Sequence, residues 1–209
     1  MTRIPARPIL LAAAVLGLLA LTASAFERKH FDRSRFARPD FTDPASAAAP
    51  NTAASPAQPA EPDPGLVELF GDDLLTHKGK RADLASLNGK TVALYFSASW
   101  CPPCRAFSPV LVELADDLRK SGKPFELVLV GCDQTKEKAL DYMAAHKMTG
   151  YLVPPEADAN RALCNRYGVR GIPALVVVDS TARTIDPAAR GTVQTSHDDP
   201  DAVWAKWSR

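Results

Sequence analysis

The sequence predicts an α/β domain at residues 65–209, in which helices pack against a central sheet. Short apolar runs rich in β-forming residues alternate in this region with segments whose apolar residues recur at helical spacing. The runs are apolar throughout, which is typical of strands that are buried on both faces. The region before residue 65 shows neither pattern, so we expect one domain.

The first elements of the domain follow from local patterns. The short apolar run at 66–70 predicts a strand. The turn at Asn88–Gly89 precedes 91–97, a run of β-formers that predicts a buried strand. Apolar residues then recur along one face of 103–120, which predicts a helix that ends before Ser121–Pro124.

The remaining elements alternate in the same way. We expect a second buried strand, two helices, a third buried strand, an edge strand and a terminal helix that starts near Asp199. In chain order, these elements are predicted at 125–132, 135–146, 159–167, 174–179, 191–194 and 200–207.

Residues 1–25 have the layout of a secretory signal peptide. Arg3 and Arg7 precede the apolar run Ile9–Leu21, and Ala23–Ala25 is a small-residue cleavage motif. The run has 13 residues, whereas a membrane-spanning helix needs roughly 20. We therefore expect secretion to the periplasm or another extracytoplasmic space, with a membrane anchor formed by residues 9–21 as the alternative.

Residues 26–64 are expected to connect this segment to the domain. Residues 26–43 mix charge with four Phe, so a disordered segment is expected, with a short docking helix as the alternative. Residues 44–64 hold six Pro and eight Ala, a composition that cannot build a core. We expect a linker, partly polyproline II, that holds the domain away from a membrane or partner.

Composition excludes several classes of function. The 25 Lys and Arg nearly balance the 24 Asp and Glu, for a net charge of +1, so no basic excess is present to bind nucleic acid. Apolar residues make up 46% of the chain and charged residues 23%, which excludes a wholly disordered or multi-span membrane protein. We also expect the protein to act as a monomer and to need no cofactor.

The strongest chemical signal is Cys101-Pro102-Pro103-Cys104, between a predicted strand and a predicted helix. Two thiols at this spacing can close a disulfide, and a helix N-terminus favours the thiolate of the first cysteine. Cys101, before the helix, is expected to be the exposed nucleophile, and Cys104 the thiol that resolves the mixed disulfide. A zinc site is the alternative, but the other cysteines and histidines are scattered, so no metal is expected.

The two prolines between these cysteines also bear on the direction of the reaction. Because they have no N–H, mainly the Cys104 N–H remains to stabilise the Cys101 thiolate. A less stabilised thiolate makes a dithiol more reducing, which favours a reductase.

Two segments resemble a known family. YFSASWCPPCRAFSPVL at 95–111 and YGVRGIPAL at 167–175 resemble the thioredoxin superfamily, most closely its tryparedoxin and nucleoredoxin branch, and the resemblance extends over 66–209. It implies a thioredoxin-like fold with a central mixed β-sheet flanked by helices. It also implies that Pro173 follows a cis bond and faces the sulfurs, that the Ile172 backbone binds extended substrate, and that Trp100 lies on the rim of the site.

The sequence also departs from this family or leaves residues unassigned. Tyr95 stands where thioredoxins proper carry a buried Asp, so that strand supplies no carboxylate to accept the Cys104 proton. Cys132 and Cys164 are expected to be buried free thiols, with a structural disulfide between them as the alternative.

These observations predict a secreted thiol–disulfide oxidoreductase, in particular a protein-disulfide reductase, with a role in redox homeostasis. Its substrates would be protein or small disulfides, and its reductant a thiol-electron carrier in the membrane. The alternatives are an oxidase or isomerase of protein disulfides, and a non-catalytic thioredoxin-like binding module.

Overall fold

The computed structural model describes residues 60–208. The signal peptide or anchor predicted at 1–25, the segment at 26–43 and most of the linker lie outside the described residues. The helices are α1 Pro64–Phe70, α2 Pro102–Lys120, α3 Lys136–Ala145, α4 Asp158–Arg166, α5 Ala189–Ser196 and α6 Pro200–Trp207. The strands are β1 Leu75–Thr76, β2 Thr91–Ser97, β3 Phe125–Gly131, β4 Tyr151–Val153, β5 Ala174–Val178 and β6 Thr184–Asp186, and a 3₁₀ turn lies at Leu84–Leu87.

The strands form one mixed sheet in the order β1-β4-β3-β2-β5-β6. The strands β2, β3 and β4 are parallel, while β5, β6 and β1 pair antiparallel to their neighbours. Ser97, the last residue of β2, is in register with Gly131, the last of β3. The segments that follow these two central strands therefore leave the sheet side by side.

Two apolar clusters pack on opposite faces of this sheet. Along β2, Ala93 and Tyr95 belong to one cluster, whereas Val92, Leu94 and Phe96 belong to the other. This alternation follows from the two-residue period of a strand. The first cluster receives side chains of α2, α3, α5 and α6, and the second receives those of α1 and α4. The predicted α/β class, with a mixed sheet between helices, is confirmed.

Two predicted strands are wrong. Residues 66–70 lie in α1, because Pro64 opens a helix and Leu66, Leu69 and Phe70 share its buried face. Residues 191–194 lie in α5, where Ala189 and Val193 are buried one turn apart. The edge strand is instead β6, and the short strands β1 and β4 were not predicted. The other predicted strands and helices match to within about two residues at either end.

The helix α2 begins with Cys101 as its N-cap residue and Pro102 at its first position. Proline is well accommodated there because the first N–H groups of a helix have no partner within it. Pro109 lies inside the same helix and has no N–H to donate to the turn before it. Between residues 60 and 208, no helix combines the length and apolarity needed to cross a membrane.

Candidate active site

The Cys101–Cys104 pair forms a disulfide at the N-terminus of α2, with the Cα atoms 5.2 Å apart. Cys101 is 4% exposed and Cys104 fully buried. The expectation that Cys101 is exposed is therefore wrong for the oxidised form, in which it is buried in a cluster with Ala98 and Cys104 that Ile172 packs against. The two prolines between the cysteines are exposed and form the outer surface of this turn.

Among residues 60–208, a single backbone N–H reaches the Cys101 sulfur. The N–H of Cys104 donates to Cys101 Sγ at 3.3 Å. Pro102 and Pro103, which fill the intervening positions, have no N–H to add. This arrangement agrees with the expectation that the Cys101 thiolate would be held by fewer donors than a helix N-terminus can offer.

The Ile172–Pro173 peptide bond is cis, as the resemblance implied. Pro173 is buried and Ile172 half-buried, and Ile172 packs against the cluster of Ala98, Cys101 and Cys104. The Ile172 carbonyl oxygen lies 3.8 Å from Cys101 Sγ. The sulfur has no proton in the disulfide, so this is a packing contact that the reduced S–H could convert into a weak hydrogen bond.

Within residues 60–208, the backbone N–H of Ile172 donates to no other group. An unpaired N–H beside a redox sulfur can pair with an extended peptide in the manner of a strand.

Trp100 lies at the rim of the site, as expected, with 60% of its surface exposed. Its indole Nε1–H donates to the Cys132 carbonyl oxygen at 3.2 Å, which joins the ring to the segment after β3. The preceding residue, Ser99, is held by Asp133, which accepts from the Ser99 N–H at 3.0 Å and from its hydroxyl at 2.6 Å. The loop between β2 and α2 is therefore tied to the end of β3.

A cavity of about 430 Å³ opens beside Trp100. Its charged lining residues are Arg105, Lys138 and Asp141, and His146 and Tyr142 line it as well. Burial and the nearby Arg105 guanidinium lower the pKa of His146, which disfavours the charged imidazolium. Within residues 60–208, Arg105 forms no ion pair. The sequence analysis did not identify this cavity, because α3 carries no motif of its own.

Buried hydroxyl groups form a network behind Cys104. The Tyr95 hydroxyl donates to the Cys104 carbonyl oxygen at 3.2 Å and lies 2.9 Å from Ser108 Oγ. Ser108 Oγ lies 3.0 Å from the same carbonyl and 2.6 Å from the Tyr142 hydroxyl, which in turn lies 3.0 Å from Ser97 Oγ. Burial raises the pKa of Tyr95, so its phenol stays protonated.

The sequence analysis missed this network. A signal was present, because Ser108 lies one helical turn after Cys104 among the apolar residues of α2. A polar residue within a buried helical stripe needs a partner on the sheet.

Cys132 and Cys164 are both free and half-buried, so the alternative of a structural disulfide between them is wrong. Burial raises the pKa of the Cys132 thiol to about 11, and the charges of Cys164 and Asp133 add to this effect. Within residues 60–208, no group of three or more His, Cys, Asp and Glu side chains comes together as a metal site would require.

Comparisons with known proteins agree with this geometry. The model of the thioredoxin-like family matches residues 88–184. Tryparedoxin of Trypanosoma brucei brucei is 38% identical over 141 residues, which cover 66% of this chain and 94% of that protein. Mouse nucleoredoxin is 36% identical over 138 residues, and this chain spans only 31% of its length.

The similarity extends to solved structures. That of tryparedoxin II from C. fasciculata superposes with a TM-score of 0.58 at 37% sequence identity, covering 66% of this chain and 91% of that one. With such similarity over nearly the whole of a tryparedoxin, the chain belongs to the thioredoxin-like family.

Proposed function

We propose that the protein is a protein-disulfide reductase whose catalytic residues are Cys101 and Cys104. The observation that carries this proposal is the Cys101–Cys104 disulfide at a helix N-terminus, beside the unpaired backbone N–H of Ile172. A peptide aligned on Ile172 would bring its own disulfide next to the Cys101 sulfur.

The reaction starts from the dithiol. The Cys101 thiolate, held by the Cys104 N–H, attacks one sulfur of a substrate disulfide, and the other sulfur leaves as a thiolate. Cys104 then loses its proton to solvent and attacks the Cys101 sulfur. This second step releases the remaining substrate thiolate, which takes up a proton, and leaves the Cys101–Cys104 disulfide.

Trp100, Ile172 and Pro173 are the proposed substrate-binding residues. The exposed indole of Trp100 offers an apolar surface at the rim, and Ile172 offers backbone groups for pairing. Pro173, which follows Ile172 through a cis bond, presents no N–H of its own that a substrate would have to satisfy. Together these residues suit an extended protein segment or a small disulfide.

The reductase direction rests on the single N–H that reaches Cys101. Fewer donors stabilise the thiolate less, and a less stabilised dithiol is a better electron donor. An oxidase or isomerase would need a Cys101 thiolate that is stabilised more strongly. A redox titration against glutathione measures the reduction potential of the Cys101–Cys104 pair directly.

The cellular setting of the proposal rests on residues 1–25. A reductase exported to the periplasm or a similar space needs electrons from a thiol carrier in the membrane, because such compartments drive dithiols to disulfides. The linker at 44–64 would let the domain at 65–209, acting as a monomer, reach both this carrier and its substrates.

Two substitutions of the same kind test the function. Cys101→Ser should abolish dithiol-driven reduction of insulin, followed as turbidity, because no nucleophile remains. Cys104→Ser should instead accumulate mixed disulfides between Cys101 and substrate, visible on non-reducing gels. Mixed disulfides trapped by the Cys101 variant would reverse the two roles. Insulin reduction by the unmodified protein that is no faster than by the dithiol alone would favour the binding module.

A further inference from the structure

Cys132 is a free cysteine that packs beside the cluster holding the redox disulfide. Cys101 and Cys104 follow β2, Cys132 follows β3, and these parallel strands end in register. Cys132 packs against the cluster formed by Ala98, Cys101 and Cys104. A cysteine that the proposed reaction does not use therefore packs against the cluster that contains both redox sulfurs.

Both backbone groups of Cys132 are bound to the segment that leads into Cys101. Its N–H donates to the carbonyl oxygen of Ser97 at 2.8 Å, and its own carbonyl oxygen accepts from the Trp100 indole at 3.2 Å. These two hydrogen bonds hold the backbone of Cys132 next to the active-site turn.

Asn160 brings the other free thiol towards Cys132. Asn160 lies one turn before Cys164 on α4, and its amide donates at 2.7 Å to the carbonyl oxygen of Gly131, the residue before Cys132. The Cys164 thiol in turn donates weakly to the Asn160 side-chain oxygen at 3.8 Å. Cys132 and Cys164 also pack against the same apolar cluster, and the charge of Cys164 opposes ionisation of Cys132.

We propose that Cys132 and Cys164 are a second redox-active pair that exchanges two electrons with the Cys101–Cys104 disulfide. This inference rests on the proposed function of that disulfide. It makes the active-site disulfide the oxidant of the second pair, so the chain can hold two electron pairs.

The exchange balances without any further reactant. The Cys132 thiolate attacks one active-site sulfur, the Cys101–Cys104 bond breaks, and the other active-site sulfur leaves as a thiolate. Cys164 then attacks the Cys132 sulfur, which frees the first active-site sulfur and closes the Cys132–Cys164 disulfide. The protons of Cys132 and Cys164 end on Cys101 and Cys104, so one pair is oxidised and the other reduced.

Contact between the pairs is needed for this step. Because the pKa of the Cys132 thiol is about 11, its thiolate is scarce at neutral pH and would react slowly with a disulfide in solution. A neighbouring disulfide is present at a high effective concentration, which compensates for the scarcity. A thiol of high pKa is also a poor leaving group, so the second disulfide would persist once formed.

The test follows each cysteine during oxidation of the full chain. The protein is reduced, freed of reductant and exposed to oxidised glutathione without air, then alkylated at intervals and mapped by mass spectrometry. We expect the Cys101–Cys104 bond first and a peptide linked through Cys132 and Cys164 second. In a variant carrying both Cys101→Ser and Cys104→Ser, the second bond should form at least about tenfold more slowly, because the neighbouring oxidant is gone.

A second variant keeps the active site intact. Cys164→Ser should stop the exchange halfway and accumulate a disulfide between Cys132 and an active-site cysteine. The proposal is overturned if Cys132 and Cys164 stay alkylatable after the active-site pair is fully oxidised, or if the second bond forms equally fast in the double variant. Insulin reduction by the same preparation separates the two proposals: an active enzyme without the second bond overturns this inference alone, and an inactive one overturns the proposed function.

Discussion

Tyr95 stands at the strand position where thioredoxins proper carry a buried aspartate, and it changes the chemistry behind Cys104. A carboxylate there could take a proton from the resolving thiol. The Tyr95 phenol cannot, because burial raises its pKa and keeps it protonated. Its hydroxyl donates to the Cys104 carbonyl oxygen instead, so this residue positions the turn and leaves the proton to solvent.

Ser108 links the two tyrosines of this network, and its removal should destabilise the domain. Ser108→Ala deletes buried hydrogen bonds to Cys104 and Tyr142, and we expect the free energy of unfolding to fall by about 1–2 kcal/mol in urea titrations. The control is Ser86→Ala, which removes exposed hydrogen bonds and should change stability by no more than about 0.5 kcal/mol. Equal losses in the two variants would contradict a stabilising role for the network.

At the scale of elements, one carboxylate joins the last strand to the last two helices. Asp186, at the end of β6, accepts from Thr192 of α5 at 2.7 Å and from the Trp207 indole of α6 at 3.2 Å. It also pairs with Lys206 at 2.9 Å. Burial alone would raise the pKa of Asp186, but these partners outweigh it and lower the pKa below its ordinary value.

This lowered pKa predicts how stability depends on pH. The charged Asp186 should stabilise the fold above the unfolded-state pKa of about 3.9, and its contribution should be lost as pH falls through the lower folded-state value. Asp186→Asn should therefore cost about 1.5–3 kcal/mol at pH 7 and much less at pH 3, measured by urea unfolding. Asp198→Asn, at an exposed site, serves as the control. A loss for Asp186→Asn that does not change with pH would contradict this account.

Most elements were predictable because the signal is local. Caps, glycine stops and continuous apolar runs identified the central strands and the helices α2, α3, α4 and α6. For LVELF at 66–70, local signals could not distinguish a strand from a helix, because a short, largely apolar run fits a strand and one helical turn equally well. For 191–194, burial of Val193 against the sheet favoured the helix over β-propensity.

In the site, too, local motifs were predictable from the sequence, whereas contacts between distant residues were not. The Cys101–Cys104 motif and Pro173 are recognisable from neighbouring residues in the sequence. The contacts of Cys132 and of Tyr142 are not, because they depend on the register between β2 and β3 and on where α3 crosses the sheet. Such contacts join residues that are 30 or more positions apart in the chain.

At the scale of the whole molecule, the proposed export makes the redox state in cells informative. We expect Cys101 and Cys104 to be mostly reduced in intact cells of the native host, and to become oxidised when membrane thiol carriers are lost. Alkylation of free thiols before lysis measures this state. A chain lacking residues 1–25 is the control, because it should stay in the cytoplasm and remain reduced without any carrier. An exported pair that is always oxidised would exclude the reductase direction.

The sheet ends in very short strands on both sides, β1 with two residues and β6 with three, and the ladder is irregular where β6 pairs with Val177 and Val178 of β5. A long, flat edge exposes a row of unpaired N–H and C=O groups on which another chain can add a strand. Edges of two and three residues offer too few such groups for stable addition. The domain is thereby protected against edge-to-edge aggregation, even where many copies are crowded together.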